Sequence, residues 1–523
     1  MKTNRVIKIF LASSEELEAD RYRFGNLIRK LDNIYEKRGI RIELFEWEDY
    51  DAAYNGMRKQ DEYNERVRAS DMFLALFHKK AGKFTIEEFN IAQKAFDEQA
   101  SPKIYTYIKD LEAGESESRE LAEFKRLMLE ELGHYWCRYS NFDTMQLHFV
   151  LQLQMVEATT PIKVEVKESQ VKIGDSTIAD LNNVPFTSEN ATHRELQSRK
   201  EQLDREIGNA ESGGRRGFFG QRSRMTDEEL ANLREERESV TEQIERQEKA
   251  LVDTAMSIAR MQGGECSPRM RTAAKLFEKG ETDKAEAVLK EDDMEADATN
   301  AKLKFDTAAQ PTAELARNIE RCAGEYMLKA RIVVSRIADE SRYLKAAKLM
   351  STAIDLVSGR LPEETLAEYL FDYAVLLTDA GQQTKALETW ERLSGIYERL
   401  YRKAPQKYAY GYAGVLNNMA VLYSNKGDFD HCLSKYLKAV DIYDRLDREE
   451  PGIYDDDIAR LKNNLGTLYT DRDEYNKALS EFNEAARIRF ELLAKDNDPD
   501  SRSALADIYC NMATTLQFSD HPQ

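Results

Sequence analysis

The 523-residue chain has few cysteines and no long apolar run. Its five cysteines are scattered, no CxxC pair occurs, and the six histidines do not cluster near them. We therefore expect neither a structural zinc site nor a disulfide framework, which fits a reducing cytosol. No stretch approaches the ~20 apolar residues of a membrane-spanning helix. The run "IFLA" near the start is also too short for a signal peptide. These absences predict a soluble, cytoplasmic protein.

The chain also has fewer basic than acidic residues, 76 Lys and Arg against 95 Asp and Glu. The formal net charge is −19, with 33% of the residues charged. Nucleic acids and anionic membranes both require basic surface, so general affinity for either is not expected. The length is too great for a single core and indicates about two to four domains.

Residues 1–157 alternate between strand and helix patterns. The run "MFLALF" is continuously apolar, as expected of a strand that is covered on both faces. Five strands interleaved with five helices predict an open parallel sheet with helices on both sides, an α/β domain of flavodoxin-like type. Ligands of such sheets bind beyond the carboxyl ends of the strands. The predicted strands are "RVIKIFLA", "IRIELFEW", "MFLALF", "KIYTYI" and "HYWCRY".

Residues 158–265 have a different pattern. The stretch "IKVEVKESQVKIGD" alternates like a short β-hairpin. Two charged helical stretches follow, in which apolar residues are spaced by seven and four. This spacing predicts an antiparallel coiled-coil hairpin with "GGRRGFFGQRSR" at its tip, either as a plain loop or as a contact site using Phe218 and Phe219. The spaced residues are Leu196, Leu203 and Ile207, then Leu233, Val240, Ile244 and Leu251.

Residues 266–523 form an all-α region with internal repeats. The segments that begin at Tyr373, Met419 and Leu465 resemble one another at steps of 46 residues. In each repeat a small residue in the second helix is followed four positions later by a large aromatic on the same face. This spacing resembles the tetratricopeptide repeat, whose usual period is about 34. The resemblance implies lengthened helices within an α-solenoid. The pairs are Ala386 with Trp390, Cys432 with Tyr436, and Ala478 with Phe482.

The amino-terminal domain resembles a bacterial, enzymatic Toll/interleukin-1 receptor (TIR) domain. The resemblance rests on the strand series, on the start "IFLASSEEL", and on Phe84, Glu88 and Phe89, which match an aromatic–x3–Glu–apolar pattern. Phe84 replaces the tryptophan that is common in the family. "TIEEFNIA" also resembles a stretch of nucleoside deoxyribosyltransferases, in which a glutamate acts at the anomeric carbon. Both resemblances select Glu88 over Glu87 as the catalytic residue.

The chemistry that the resemblance implies needs only one carboxylate. Cleavage of the nicotinamide–ribose bond of NAD+ releases neutral nicotinamide, so the leaving group needs no general acid. A single glutamate can stabilise the oxocarbenium-like transition state, as a carboxylate does in glycosidases. Glu87 and Glu88 are predicted to lie in the first turn of a helix. Acids there are also explained by the helix dipole alone.

The other candidate site residues bind the substrate rather than react with it. Ser13 and Ser14 follow the first strand, where they either contact ribose or phosphate or cap the first helix. Trp47 and Tyr50 follow the second strand, where an aromatic can stack on adenine. Phe84, four residues before Glu88, is also a candidate substrate-binding residue. Arg21 and Arg23 lie on the first helix, where they either reach a phosphate or, by default, are solvated helix charges. No metal and no cofactor is expected, since NAD+ is the substrate.

Three functions remain open from the sequence. The first is an NAD+ glycohydrolase, or cyclase, that serves as an effector of antiphage defence. In this function the repeats bind a protein trigger and the active form is a homo-oligomer. The second is a non-enzymatic adaptor in which the TIR-like and repeat regions only assemble other proteins. The third is a nucleoside N-glycosidase or deoxyribosyltransferase-like enzyme with another substrate.

Overall fold

The structure is a computed structural model. It describes residues 5–36, 39–45, 59–112, 114–130, 132, 136–156, 164–173, 176–212, 226–262, 266–336, 341–449, 451–496 and 499–520. The chain divides into two compact units, and each is described by itself. The first comprises Met1–Gln154 with Lys163–Ser188, and the second comprises Met155–Ile162 with Glu189–Gln523.

The first unit contains the predicted five-stranded parallel sheet. All neighbouring strands pair in parallel, in the order β2-β1-β3-β4-β5. The chain runs outward from β1 to β2 and then returns to the other side of β1, so the strand order reverses between β1 and β3. This reversal is the point at which open sheets of this kind bind ligands. The strands are β1 (Arg5–Ser13), β2 (Ile40–Phe45), β3 (Met72–Phe77), β4 (Lys103–Lys109) and β5 (Cys137–Tyr139).

Five helices cover the two faces of this sheet. Every residue of β3 is buried, as its apolar run predicts. On one face Phe73 and Phe77 pack with Phe89 and Phe124 of two covering helices. On the other face the rings of Phe24 and Phe149 meet edge to face, 4.7 Å between centroids. The helices are α1 (Glu18–Glu36), α2 (Lys59–Ala69), α3 (Lys83–Gln99), α4 (Arg119–Glu130) and α5 (Phe142–Val156).

The predicted β-hairpin is part of a larger element. β6 (Glu165–Lys167) and β7 (Gln170–Ile173) pair in antiparallel fashion, and β8 (Ser176–Asp180) adds a third strand. The sequence "STIAD" of β8 is short and lacks a marked alternation, which explains why the sequence indicated only two strands. A short helix α6 (Pro185–Ser188) ends this unit.

The coiled-coil hairpin is present in the second unit. Helices α7 (Ala191–Ser212) and α8 (Asp227–Gln262) pack through Leu203, Val240 and Ile244. Ion pairs join Arg199 to Glu236 and Glu211 to Arg234, so residue numbers rise along α7 while those of their partners fall along α8. The helices are therefore antiparallel, as predicted. The tip at 213–224, with Phe218 and Phe219, lies outside the described residues.

The remainder of the second unit is a tetratricopeptide-like solenoid of antiparallel helices, in which each helix packs on the next. Ala386, Cys432 and Ala478 are fully buried at equivalent repeat positions, as the 46-residue step requires. The helices are α9 (Pro268–Glu278), α10 (Thr282–Val288), α11 (Glu291–Thr307), α12 (Ala313–Ser335), α13 (Ser341–Val357), α14 (Glu363–Asp379), α15 (Gln383–Lys403), α16 (Pro405–Asn425), α17 (Phe429–Glu449), α18 (Asp455–Asp471), α19 (Tyr475–Asp496) and α20 (Pro499–Asp520).

One repeat position carries glycine for a steric reason. Gly466 of α18 matches Ala374 and Ala420 of the preceding repeats, but the ring of Phe482 lies against it. A Cβ atom on Gly466 would meet Phe482 Cε1 at 2.6 Å. Real Cβ contacts are essentially never that short, so the partner helices approach closely here only because the side chain is absent.

Among the helices that the structure describes, none has the length and apolar composition that a membrane span requires.

Candidate active site

Helix α3 begins earlier than the sequence predicts. Gly82 is its N-cap and Lys83 its first residue, so Glu87 and Glu88 lie in the second turn rather than the first. The prediction was wrong because glycine at the N-cap gives a weaker sequence signal than Ser, Thr or Asp. The helix dipole acts mainly on charges within the first turn, and Glu87 and Glu88 lie beyond it. The dipole alone is therefore a poor explanation for this pair of acids.

The two acids occupy different environments. Glu88 is only 8% exposed and lies beside the buried Phe89. Glu87 is half-buried, and its Oε1 accepts a hydrogen bond from Asn64 Nδ2 of α2 at 3.4 Å. Burial of a carboxylate is costly, so a buried acid near the carboxyl ends of the strands is a candidate for function. The environments agree with the choice of Glu88 as the candidate and give Glu87 a bond between helices.

Phe84 lies one helical turn before Glu88, on the same face of α3. Its side chain is 56% exposed, which is unusual for a phenylalanine in a folded domain. An exposed ring one turn from a buried carboxylate provides a surface on which a planar group can stack. Its substrate-binding role stays a prediction.

The end of β1 is organised by a buried arginine. Arg21 of α1 is only 2% exposed, so the expectation of a solvated helix charge was wrong. Its Nη1 donates to Ser13 Oγ at 2.8 Å and to the carbonyl oxygen of Ser14 at 3.0 Å. The sequence did not show this, because a single arginine on a charged helix is usually solvated. The guanidinium fixes the turn in which both candidate serines lie.

Glu16 joins this turn to the segment that leads into α3. Ser14 Oγ donates to Glu16 Oε1 at 3.2 Å. The same oxygen accepts from the backbone N–H groups of Lys79 and Lys80, at 3.1 and 3.3 Å. The turn after β1 and the loop after β3 therefore lie together, at the point where the strand order reverses. The structure brings Ser13 and Ser14 to the loop that precedes Phe84 and Glu88, whereas Trp47 and Tyr50 lie outside the described residues.

The loop after β3 is held from a second side. Glu115 accepts an ion pair from Lys79 Nζ, and its Oε2 lies 3.4 Å from His78 Nε2. The hydrogen bond from Lys79 lowers the pKa of Glu115, which keeps the carboxylate ionised. The segment between β3 and α3 is thus fixed by carboxylates from both sides.

A buried cluster that the sequence did not reveal lies next to this site. Asp20 Oδ2 accepts from Lys109 Nζ and from Tyr139 OH, both at 2.9 Å. Burial, together with the nearby Asp20, raises the pKa of the Tyr139 hydroxyl well above its usual range, so it stays a donor. Lys109 ends β4 and Tyr139 ends β5. Asp20 therefore ties the start of α1 to the carboxyl ends of both strands.

Replacement of Arg21 by alanine tests whether this guanidinium positions the serine turn. We expect the free energy of unfolding of the first unit to fall by about 1.5–3 kcal/mol, the usual range for hydrogen bonds to a charged group. For the NAD+ cleavage that the TIR resemblance implies, the apparent KM should rise more than kcat falls, because a displaced Ser13–Ser14 turn would weaken substrate binding. Thermal melting and initial rates measure the two effects. Arg23→Ala, an exposed arginine on the same helix, is the control. Equal behaviour of the two variants would contradict the positioning role.

No group of three or more His, Cys, Asp or Glu side chains suited to a metal ion occurs among the described residues. The chemical resources of the site are therefore a buried carboxylate, an exposed ring, two serines and backbone N–H groups. Such a set can orient ribose hydroxyls and stabilise developing positive charge.

Comparisons with known proteins do not assign a family. No protein-family model matches the chain, and no curated protein matches it. Similar solved structures include BtubC (BKLC) from P. vanneervenii, at 20% identity and TM-score 0.30 over 43% of this chain and 87% of that one. The apo form of RapI is 16% identical, with TM-score 0.33 over 62% of this chain and 74% of that one. A signal transduction ATPase with a tetratricopeptide repeat sensor from Pyrococcus horikoshii is 11% identical, with TM-score 0.29 over 99% and 93%.

Proposed function

We propose that the chain is an NAD+ glycohydrolase of the TIR type, in which Glu88 acts on bound NAD+ and the repeats bind a triggering protein. The observation that carries the proposal is the burial of Glu88 on α3, directly after the strand at which the sheet order reverses. Ligands of such sheets bind at this point, and a buried carboxylate in that position is a candidate functional group.

The reaction needs little from the protein beyond this carboxylate. As the bond between nicotinamide and C1′ of ribose breaks, its electron pair moves to the ring nitrogen and the pyridinium becomes neutral nicotinamide. Positive charge develops on the ribose, where the negative charge of Glu88 stabilises it. Water, or a nitrogen of the adenine ring, then attacks C1′ to complete hydrolysis or cyclisation. Ser13 and Ser14 supply polar groups for ribose or phosphate, and Phe84 offers a ring for stacking.

The biological setting is part of the same proposal. Unregulated NAD+ loss is lethal, so an enzyme of this kind has to wait for a signal. The repeat solenoid, with its extended surface, is suited to receive one. We propose that the chain is an antiphage effector that becomes active as a homo-oligomer when its repeats bind a protein trigger.

The test is release of nicotinamide from NAD+ by the purified full-length chain, followed by liquid chromatography. Specific activity should rise with protein concentration, because the active form is an assembly. Nucleosides and deoxynucleosides serve as parallel substrates. Cleavage of these with no action on NAD+ would favour the nucleoside N-glycosidase instead.

One observation favours a non-enzymatic adaptor as the second candidate. The second unit holds a large groove of about 1990 Å³ that is lined by both apolar and charged residues, and such a surface serves protein binding without any catalysis. The adaptor predicts no nicotinamide release at any protein concentration, with or without a trigger.

A further inference from the structure

The groove of the second unit has walls from two different elements. One wall is the second helix of the coiled-coil hairpin, α8, and the other is built from the alternate helices α12, α14, α16 and α18 of the solenoid. Its volume of about 1990 Å³ is roughly twice the upper end of the range for small-molecule pockets. A groove of this size suits an extended polypeptide better than a metabolite.

Several cations line the groove, although the chain as a whole is acidic. Within the described part of the chain, Lys249, Arg321 and Arg342 have no carboxylate at ion-pair distance. Arg342 donates instead to two neutral oxygens, the carbonyl of Arg336 at 3.1 Å and Tyr343 OH at 2.9 Å. Cations that lack a carboxylate partner in a concave surface attract an anionic ligand.

Asp379 is an acid on which two of these cations, Lys249 and Arg342, act. Burial raises its pKa, while the charges of Lys249, Arg342 and Arg246 oppose that change. Arg246 is already paired with Glu242. Lys249 and Arg342 therefore lie near a carboxyl that is itself costly to ionise, and a carboxylate of a ligand would pair with them.

The groove also contains polar atoms that are ready to bond a peptide main chain. Asn417 Oδ1, Arg331 Nε and Arg342 Nε are buried, and none has a hydrogen-bond partner within the ranges that the structure describes. Buried polar atoms are almost always satisfied, so such exceptions need an explanation. A peptide N–H matches the amide oxygen of Asn417. Carbonyl or carboxylate oxygens match the two arginine N–H groups.

We propose that this groove binds an extended acidic segment of a partner protein, with its carboxylates at Lys249, Arg321 and Arg342 and its main chain at Asn417. This proposal rests on the proposed role of the repeats as the sensor and names the chemistry of the trigger. A nucleic acid is disfavoured because Glu320, Glu368 and Asp457 also line the groove and repel a continuous phosphate backbone. The occupant contacts α8 and the solenoid together, so its binding stabilises whichever arrangement of the two it fits.

Fluorescence anisotropy with the full-length chain tests the assignment. The probe is a short fluorescein-labelled peptide of repeated Glu-Leu-Ser-Gly, compared with the same peptide carrying Lys for Glu and with an oligo(dT) of equal length. We expect the acidic peptide to bind most tightly. Lys249→Glu/Arg321→Glu, at two exposed positions, should weaken its affinity at least about tenfold, since loss and reversal of two charge contacts are combined.

The matched control is Lys385→Glu/Arg392→Glu, which makes the same charge change on exposed residues of α15 outside the groove. It should leave the affinity within about twofold of wild type, because exposed charges at a distance are screened. An equal loss in the control, tighter binding of the basic peptide or the oligonucleotide, or no binding of the acidic peptide would each overturn the proposal. The assay contains no NAD+, so its failure is distinct from failure of the glycohydrolase proposal.

Discussion

Glu88→Gln is expected to reduce nicotinamide release from NAD+ at least about a hundredfold, the scale seen when one stabilising group of a transition state is removed. The substitution keeps the size of the side chain and removes its charge. The positive charge that develops on ribose then loses its stabilisation. Because the side chain keeps its size, the variant should fold like the wild type, which circular dichroism checks. The loss should appear in kcat and kcat/KM together, since the interaction belongs to the transition state.

The neighbouring acid is the matched control for this prediction. Glu87→Gln makes the same chemical change one residue away, at a half-buried side chain that accepts a hydrogen bond from Asn64. It should retain most of the activity, because an amide oxygen accepts that bond as well. If Glu87→Gln were the inactive variant and Glu88→Gln the active one, the assignment of the motif would be shifted by one position. If both stayed active in a proven NAD+ glycohydrolase, the carboxylate would have to lie elsewhere.

The sequence predicted the parallel sheet because its signals are local. The fully buried run Met72–Phe77 and the alternating strand Ile40–Phe45 are each recognised from a few consecutive residues. The repeats could also be recognised from the sequence alone, since a step of 46 residues relates Ala386, Cys432 and Ala478. Such patterns report burial, which depends on the period of the element alone.

The surroundings of the site were not predictable, because its partners are far apart in sequence. Asp20 meets Lys109 and Tyr139 across 89 and 119 residues, and no local pattern marks such a meeting. Arg21 is an exception to the rule that arginine is solvated, and only the fold shows that it turns inward. The start of α3 was misplaced because Gly82 gives no strong capping signal.

Besides the Asp20 cluster of the first unit, a buried polar network lies where the coiled-coil hairpin joins the solenoid. His193 Nε2 of α7 lies 2.9 Å from Glu248 Oε1 of α8, with side-chain exposures of 3% and 0%. Beside it Asn190 Oδ1 accepts from the backbone N–H of His193, and Gln247 Nε2 donates to Asn190 Oδ1 and to the carbonyl of Ser335 on α12. The network therefore links α7, α8 and the solenoid in one place.

Glu248→Ala is expected to destabilise the second unit by about 1–3 kcal/mol, the usual cost of leaving a buried polar group without its hydrogen-bond partner. The imidazole of His193 loses its carboxylate and remains buried, and a cavity is left between the helices. Urea unfolding followed by circular dichroism measures the loss. Hydrogen exchange should locate it in α7 and the adjoining part of α8, because those backbone bonds open when the junction loosens.

The control for this prediction lies on the same helix. Glu242 pairs with Arg246 one turn away, and its side chain is 58% exposed. Glu242→Ala should therefore leave the unfolding midpoint within error, as exposed pairs contribute little. His193→Ala/Glu248→Ala should cost less than the sum of the two single changes, because the double variant leaves no unmatched imidazole behind. Strictly additive losses, or a Glu248→Ala variant as stable as Glu242→Ala, would show that this network does not hold the hairpin to the repeats. In that case α8 would not be held rigidly against the solenoid, and the groove would lack one rigid wall for an acidic peptide.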